Sequence, residues 1–261
     1  MLDNLDLSQK LPKEKYKEYI SPLQDALRDL QREVIDAQRP VLILFEGLEA
    51  AGKGDSIRLV VEPLDPRGFK VELTPMTPTP EERLRPPLRR FWLRIPGKGE
   101  IGIFDRSWYM PALAQRVEGA MKDQAWSEWK EEIKQFERQL VDDGTILIKF
   151  WLHISKKEQK RRFKKMEKSP YEGWRISKED WREHKQYSLY SATADELLVE
   201  TDTPGAPWTL VPADDPRFRR IHVLRTITET LKRNVRDPRA SNGAVLSRPT
   251  SSEIHPPEAV S

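Results

Sequence analysis

Cysteine is absent from the 261 residues, which excludes disulfides, thiol catalysis and cysteine-ligated metals. A reducing compartment suits such a chain. Long apolar runs are missing too, and no stretch approaches the roughly 20 residues that span a bilayer. The start, Met1-Leu2-Asp3-Asn4-Leu5-Asp6, carries neither the basic segment nor the apolar run of an export signal. These absences predict a cytoplasmic protein with no membrane partner. Charge of one sign is lacking as well: 45 basic residues nearly cancel 42 acidic ones, leaving +3. That balance gives no argument for nucleic acid as a partner, so any polyanion site must come from local clustering. His153, His184, His222 and His255 show no metal-ligand spacing, and no Ser/His/Asp hydrolase constellation stands out.

Glycine is scarce, at 12 residues, yet Gly47, Gly52 and Gly54 fall inside one short stretch. Gly47-Leu48-Glu49-Ala50-Ala51-Gly52-Lys53-Gly54 comes directly after the apolar run Val41-Leu42-Ile43-Leu44-Phe45. The pattern predicts a buried strand, a glycine-rich turn and then a helix whose face carries Ile57, Val60 and Val61. Main-chain N–H groups in such a turn form a concave cradle for phosphate oxygens. The helix adds the positive end of its dipole and Lys53 adds an ammonium. Gly47, Ala50, Ala51, Gly52, Lys53 and Gly54 are the candidate phosphate binders. Gly54 stands where a Mg²⁺-binding Ser or Thr usually comes after the lysine, so a metal must find its ligands elsewhere.

Leu23, Leu27, Leu30 and Val34 predict a helix that ends before Pro40. Further strands are expected at Phe69–Leu73, around Ile101–Phe104, at Thr145–Trp151 and at Trp208–Val211. Between them, Trp126, Trp129, Ile133, Phe136 and Leu140 trace a helix ending near Gly144, and Phe218, Ile221, Leu224 and Leu231 mark a closing one. Thr79 with Glu82, Ser155 with Glu158, and Ser177 with Asp180 carry helix-start signals. Pro86 and Pro87 must interrupt or kink the helix begun at Thr79. Alternating strands and helices predict an α/β fold with a parallel sheet covered on both faces. Residues 1–239 are expected to form one domain, and 240–261, rich in Ser, Pro and Ala, a disordered tail.

The third strand runs into Asp105-Arg106-Ser107-Trp108-Tyr109. A carboxylate at the carboxyl end of a strand, beside a phosphate cradle, suits the ligand or water shell of Mg²⁺. Arg106 suits a clamp on a transferring phosphoryl group. A surface turn with a local Asp–Arg pair is the plainer alternative. Arg83, Arg85, Arg89 and Arg90 crowd one segment, as a channel for a long polyanion would require, although a solvated helix face explains some of them equally. Lys156-Lys157-Glu158-Gln159-Lys160-Arg161-Arg162-Phe163-Lys164-Lys165 begins a basic helix. In kinases with a phosphate-binding loop, such a segment can close over the phosphates and exclude water. Only part of it can face the site; Arg161 and Arg162 are its candidate phosphate contacts.

With these residues in place, the chain resembles the polyphosphate kinase 2 family from about Leu11 to Arg236. The resemblance rests on Phe45-Glu46-Gly47 through Gly54, Leu64-Asp65-Pro66-Arg67-Gly68 and Gly99-Glu100-Ile101 through Tyr109. It continues in Phe136-Glu137-Arg138-Gln139-Leu140, Asp142-Asp143-Gly144-Thr145 and Leu152-His153-Ile154-Ser155-Lys156, then Ala206-Pro207-Trp208 and Ala213-Asp214-Asp215. It implies a P-loop kinase-like three-layer sandwich with a helical lid over about 155–190. It also implies Mg²⁺ dependence, a basic channel for inorganic polyphosphate, and a homo-oligomer (dimer or tetramer). Lys53 would hold phosphates, Glu49 and Asp105 the metal, and Arg106 the transferring group. Four positions depart from the family pattern. Glu49 replaces an aspartate, Met110 a polar or acidic residue, Gln115 a glutamate, and Met166 an arginine, while a later arginine run is thinned to His184-Lys185-Gln186.

The resulting expectation is Mg²⁺-dependent phosphoryl transfer between polyphosphate and a nucleoside mono- or diphosphate, with nucleoside di- or triphosphate as product. Two alternatives share the fold: a catalytically impaired polyphosphate- or nucleotide-binding protein, and an ATP-dependent nucleotide kinase.

Overall fold

Val41–Glu46, buried at every position, is the central strand of a five-stranded sheet in the computed structural model, which describes residues 1–236. In chain order the strands are β1 (Val41–Glu46), β2 (Phe69–Leu73), β3 (Ile101–Asp105), β4 (Ile146–His153) and β5 (Trp208–Pro212). Their spatial order is β2-β3-β1-β4-β5, with every pairing parallel. The helices are α1 (Lys13–Asp36), α2 (Lys53–Val61), α3 (Pro80–Arg83), α4 (Arg89–Trp92), α5 (Tyr109–Val117) and α6 (Asp123–Asp142). After β4 come α7 (Lys156–Glu167), α8 (Lys178–Lys185), α9 (Tyr187–Glu200) and α10 (Pro216–Arg236). No helix among the described residues is long and apolar enough to cross a membrane. The tail expected over 240–261 lies outside the described residues.

Alternation along β1 divides the core. Val41, Ile43 and Phe45 pack with Leu27, Leu30 and Val34 of α1, Ile57 and Val60 of α2, and Leu224, Ile227 and Leu231 of α10. Leu42 and Leu44 turn the other way, toward Leu113 of α5, Ile133 and Phe136 of α6, and Leu197 and Leu198 of α9. The result is three layers, as parallel sheets require.

The expected strands are all present, with β4 running on to His153. Thr79 and Ser177 form full capping boxes, and Ser155 caps α7 by accepting from the Glu158 N–H. Prolines 86 and 87 separate α3 from α4. Coverage of the sheet is less even than expected. β2 is an edge strand followed in the chain by two four-residue helices, and its Val71 and Leu73 are exposed. Two helices, α5 and α9, have no counterpart among the elements expected from the sequence. Neither has a side-chain N-cap, and only Gln186 separates α9 from α8.

Beneath β3's exit lies a fully buried ion pair. Lys149 of β4 donates to Glu137 of α6 at 2.7 Å, and their side chains are 0 and 2% exposed. Glu137 also accepts from Tyr109 Oη (2.5 Å) and Trp108 Nε1 (3.1 Å), while Lys149 donates to the Thr201 carbonyl (2.8 Å). Burial pulls the Lys149 pKa down, opposed by the charge of Glu137. Because Trp108 and Tyr109 directly succeed Asp105-Arg106-Ser107, this network fixes the turn that carries the candidate site. Glu137→Ala is expected to cost about 3–5 kcal/mol by leaving a buried ammonium unpaired. Pairing it with Lys149→Met should recover much of that loss in urea denaturation.

Candidate active site

Gly47, at φ 133°, opens the loop between β1 and α2, and a Cβ there would stand 2.4 Å from the Leu152 carbonyl oxygen of β4. Only glycine passes that close to the neighbouring strand. The loop's carbonyls are then turned outward one after another. Lys53 Nζ donates to Gly47 O (2.9 Å) and Leu48 O (3.3 Å), and Gln159 Nε2 to Glu49 O (3.1 Å). Arg162 donates to Ala50 O (2.8 Å), and Arg219 to Ala51 O (3.2 Å). The main-chain N–H groups of Gly52, Lys53 and Gly54 have no acceptor among the described residues. A loop with its oxygens tied back and its amides free at a helix N-terminus is built to receive an anion. Gly54 faces open space, with nothing within 4 Å of an added Cβ, so packing does not exclude a hydroxyl-bearing side chain there.

The parallel register sets Phe45 beside Asp105. Arg106 donates its N–H to Phe45 O (3.1 Å) and adopts φ 63°. Its guanidinium meets Glu49 at 2.7 Å, and Lys53 Nζ lies 3.8 Å from the same carboxylate oxygen. The charge of Lys53, against burial and aided by Arg106, holds Glu49 down at about 2. Glu49 thus meets both Lys53 and Arg106, and Asp105, the last residue of β3, directly precedes Arg106. Asp105 Oδ1 is buried without a partner. So is Oε2 of Glu46, the last residue of β1, whose other oxygen accepts from Ser107 N (2.6 Å) and Oγ (2.7 Å). Burial raises Glu46 to about 7, against the Ser107 hydrogen bonds and the charges of Lys53 and Arg106. No cluster of three or more His, Cys, Asp or Glu side chains shaped for a metal occurs among the described residues. Mg²⁺ characteristically takes only one or two carboxylates and completes its shell with phosphate and water. The orphaned Asp105 oxygen and the carboxylate of Glu49 fit that need.

The basic residues divide. Arg162, expected at the phosphates, is engaged elsewhere. Its Nη atoms donate to Ala50 O, Ala51 O, Ala213 O and Asp214 O, and its Nε to Glu158. It fastens α7 to the back of the loop and to the turn after β5. Arg161 is exposed and makes both its bonds, at 2.6 Å, to Glu158. Arg83, Arg85 and Arg89 are exposed with no ion-pair partner among the described residues. Arg90 is buried and bonded to Pro75 O (2.7 Å) and Glu82 (3.4 Å), so its head faces the protein. Sequence reasoning missed Arg219, which lies against Gly52, and Asp55, which accepts from both Arg219 and Arg220. It also missed Gln159 and Asp214, the latter gripping Ser155 through both oxygens (2.8 and 2.7 Å). Of these, only Asp214 lies inside a family-like stretch, Ala213-Asp214-Asp215; the others carried no signal in the sequence.

The family model described as Polyphosphate kinase 2 (PPK2) matches residues 10–239. The chain belongs to the polyphosphate kinase 2 family. It is 44% identical over 232 residues to the polyphosphate:AMP phosphotransferase of Pseudomonas aeruginosa, a match covering 89% of this chain and 47% of that protein. The chain thus spans about half the length of that relative. It is 34% identical over 216 residues to the GDP-polyphosphate phosphotransferase of Mycobacterium tuberculosis, covering 83% of this chain and 73% of that one. The crystal structure of polyphosphate kinase 2 from Arthrobacter aurescens TC1 superposes with a TM-score of 0.83 at 28% identity, over 89% of this chain and 85% of that one.

Within this polyphosphate kinase 2 chain the departures have structural places. Met110 is buried in the apolar cluster beside Trp108 and Leu113. Gln115 is exposed. His184 is buried, pulled down by burial and by the charges of Lys156 and Lys160, and its Nδ1–H donates to Gln159 Oε1 at 2.7 Å. Gln159 therefore links α8 to the loop carbonyl of Glu49. Arg162→Ala should lower stability by about 2–3 kcal/mol, since charged hydrogen bonds to several carbonyls disappear together. Arg161→Ala should change it by about 0.5 kcal/mol or less. Urea denaturation of the two variants separates these roles.

Proposed function

We propose that the chain catalyses Mg²⁺-dependent phosphoryl transfer between inorganic polyphosphate and a nucleoside mono- or diphosphate. The observation that carries this reading is the loop whose carbonyls are bound by side chains while its helix-facing amides stay free. Family membership, and relatives named for transfer to AMP and GDP, support it. Residues 1–239 act as one P-loop domain with a lid over about 155–190, in the cytoplasm and as an oligomer.

Phosphoryl transfer asks for alignment and charge neutralisation more than for covalent chemistry. The amides of 52–54 cradle oxygens of the polyphosphate end, and the ammonium of Lys53 neutralises them. Arg106 exchanges Glu49 for oxygens of the transferring group, which frees that carboxylate. Glu49 and Asp105 would hold Mg²⁺, which when bound draws charge from the reacting phosphates. α7 and α8, tied to the loop through Gln159 and His184, keep water from the donor. Exposed Arg83, Arg85 and Arg89 guide the remaining polyphosphate.

Incubated with polyphosphate, Mg²⁺ and AMP, ADP or GDP, the protein should yield the next higher phosphate by chromatography. Lys53→Ala should cut the rate by about 10³-fold with the circular dichroism unchanged. Salt-sensitive polyphosphate binding without product from any nucleotide would replace catalysis with a binding role. Product from ATP, and none from polyphosphate, would make the chain an ordinary nucleotide kinase.

A further inference from the structure

Arg106, at φ 63°, occupies the left-handed region that residues with a Cβ rarely adopt. Such a conformation persists only where its surroundings over-determine it. Two rigid peptide planes set the φ and ψ of a residue, and both planes around Arg106 are held. The plane before it is held at each end by main chain. Thr74 N, just beyond β2, donates to Asp105 O (3.2 Å), and Arg106 N donates to Phe45 O (3.1 Å). The plane after it is held by a side chain instead. Ser107 N donates to Glu46 Oε1 at 2.6 Å, and Ser107 Oγ donates to the same oxygen at 2.7 Å. β1 ends at Glu46, and Gly47 swings against Leu152 of β4, on the far side of β1 from β3. The main chain of β1 therefore leaves β3 where Ser107 needs an acceptor, and the side chain of Glu46 takes over.

A carboxyl is a costly acceptor of hydrogen bonds inside a protein. Glu46 and Ser107 are both 0% exposed, and Glu46 Oε2 has no partner among the described residues. The hydrogen bonds of Glu46 are thus confined to Ser107. With its pKa raised to about 7 by burial, Glu46 is neutral in a sizeable share of molecules near neutral pH. Ser107 therefore draws on the reach of the oxygen more than on its charge. Without that grip the second plane can rotate, and φ of Arg106 is free to return to the ordinary negative range. The Cα–Cβ bond then swings, and the guanidinium leaves Glu49, which it now meets at 2.7 Å. We propose that Glu46 is a positioning residue: by gripping Ser107 it keeps Arg106 left-handed and its guanidinium turned to the glycine-rich loop. The catalytic consequence rests on the phosphotransfer reading, in which Arg106 clamps the transferring group. The positioning itself does not.

Three substitutions in the full chain separate reach from charge. Glu46→Gln keeps an oxygen at the same distance and loses the charge. Glu46→Asp keeps the charge and withdraws the oxygen by one methylene. Glu46→Met fills the space and offers no acceptor. With polyphosphate, Mg²⁺ and the nucleotide that the wild type converts, Glu46→Gln should keep kcat within about fivefold, while Glu46→Asp and Glu46→Met each lose about 100-fold. KM for the nucleotide should stay within about threefold in all of them, because Arg106 acts on the transferring group. Circular dichroism checks folding, and if either Glu46→Asp or Glu46→Met is unfolded the other decides. Crystal structures should show residue 106 out of the left-handed region in Glu46→Asp and Glu46→Met, and in place in Glu46→Gln. A loss in Glu46→Gln with Glu46→Asp spared makes the charge the working part and overturns the proposal. So do equal rates in all four proteins, an equal loss in all three variants, or a Glu46→Asp or Glu46→Met structure in which Arg106 keeps its positive φ and its contact with Glu49. A wild type that forms no product from polyphosphate sinks the phosphotransfer reading instead, and the crystal structures then decide the positioning by themselves.

Discussion

Carbonyl oxygens from Gly47 to Ala51 are held by side chains from α2, α7 and α10, and the candidate site depends on that restraint. A peptide unit has two ends: fixing the oxygen of one residue fixes the direction of the next N–H. Gln159, Arg162 and Arg219 therefore set the loop's peptide planes from behind, and Lys53 does so from the start of α2. Two of these groups are arginines whose pairings span 112 and 168 residues. The cradle is thus a tertiary structure, although its sequence pattern is short.

The second support comes from the sheet. β3 delivers Asp105 and Arg106 beside the end of β1, and the Lys149–Glu137 pair anchors the turn beyond them. A buried ion pair contributes little net stability over well-packed apolar side chains, yet removing one partner is expensive. Here its oxygens take up the indole and phenol of Trp108 and Tyr109, large groups that otherwise need partners inside the core. Stability and site geometry are carried by the same residues.

Much of this was legible in the chain. Apolar or alternating runs announced the five strands, and the glycine-rich stretch after the first announced the loop, because backbone needs leave local marks. α5 and α9 left weaker marks: α9 buries Tyr190, Ala194, Leu197 and Leu198 at helical spacing, but small and aromatic residues dilute the pattern and no capping residue opens it. The basic helix was legible as a helix, not as a set of partners. Arg161 and Arg162 are adjacent and chemically identical, yet one faces water and the other fastens three segments together. Helical phase puts them 100° apart, and sequence alone does not say which of the two directions meets the loop. Arg90 likewise turned inward because Pro75 and Glu82, on the preceding turn, offered it acceptors.

Trp174 lies between α7 and α8 with 82% of its surface in water, and its indole N–H is spent on the nearby Tyr171 carbonyl. Trp108, Trp126, Trp151 and Trp208, by contrast, sit in the interior. Indole emission shifts to the blue when solvent leaves the ring, so Trp174, with Trp181 of α8 beside it in the chain, reports how wet the segment around α7 and α8 is. If α7 and α8 close over the loop as proposed, Trp174 would serve as an optical gauge of it, and no dye would be needed.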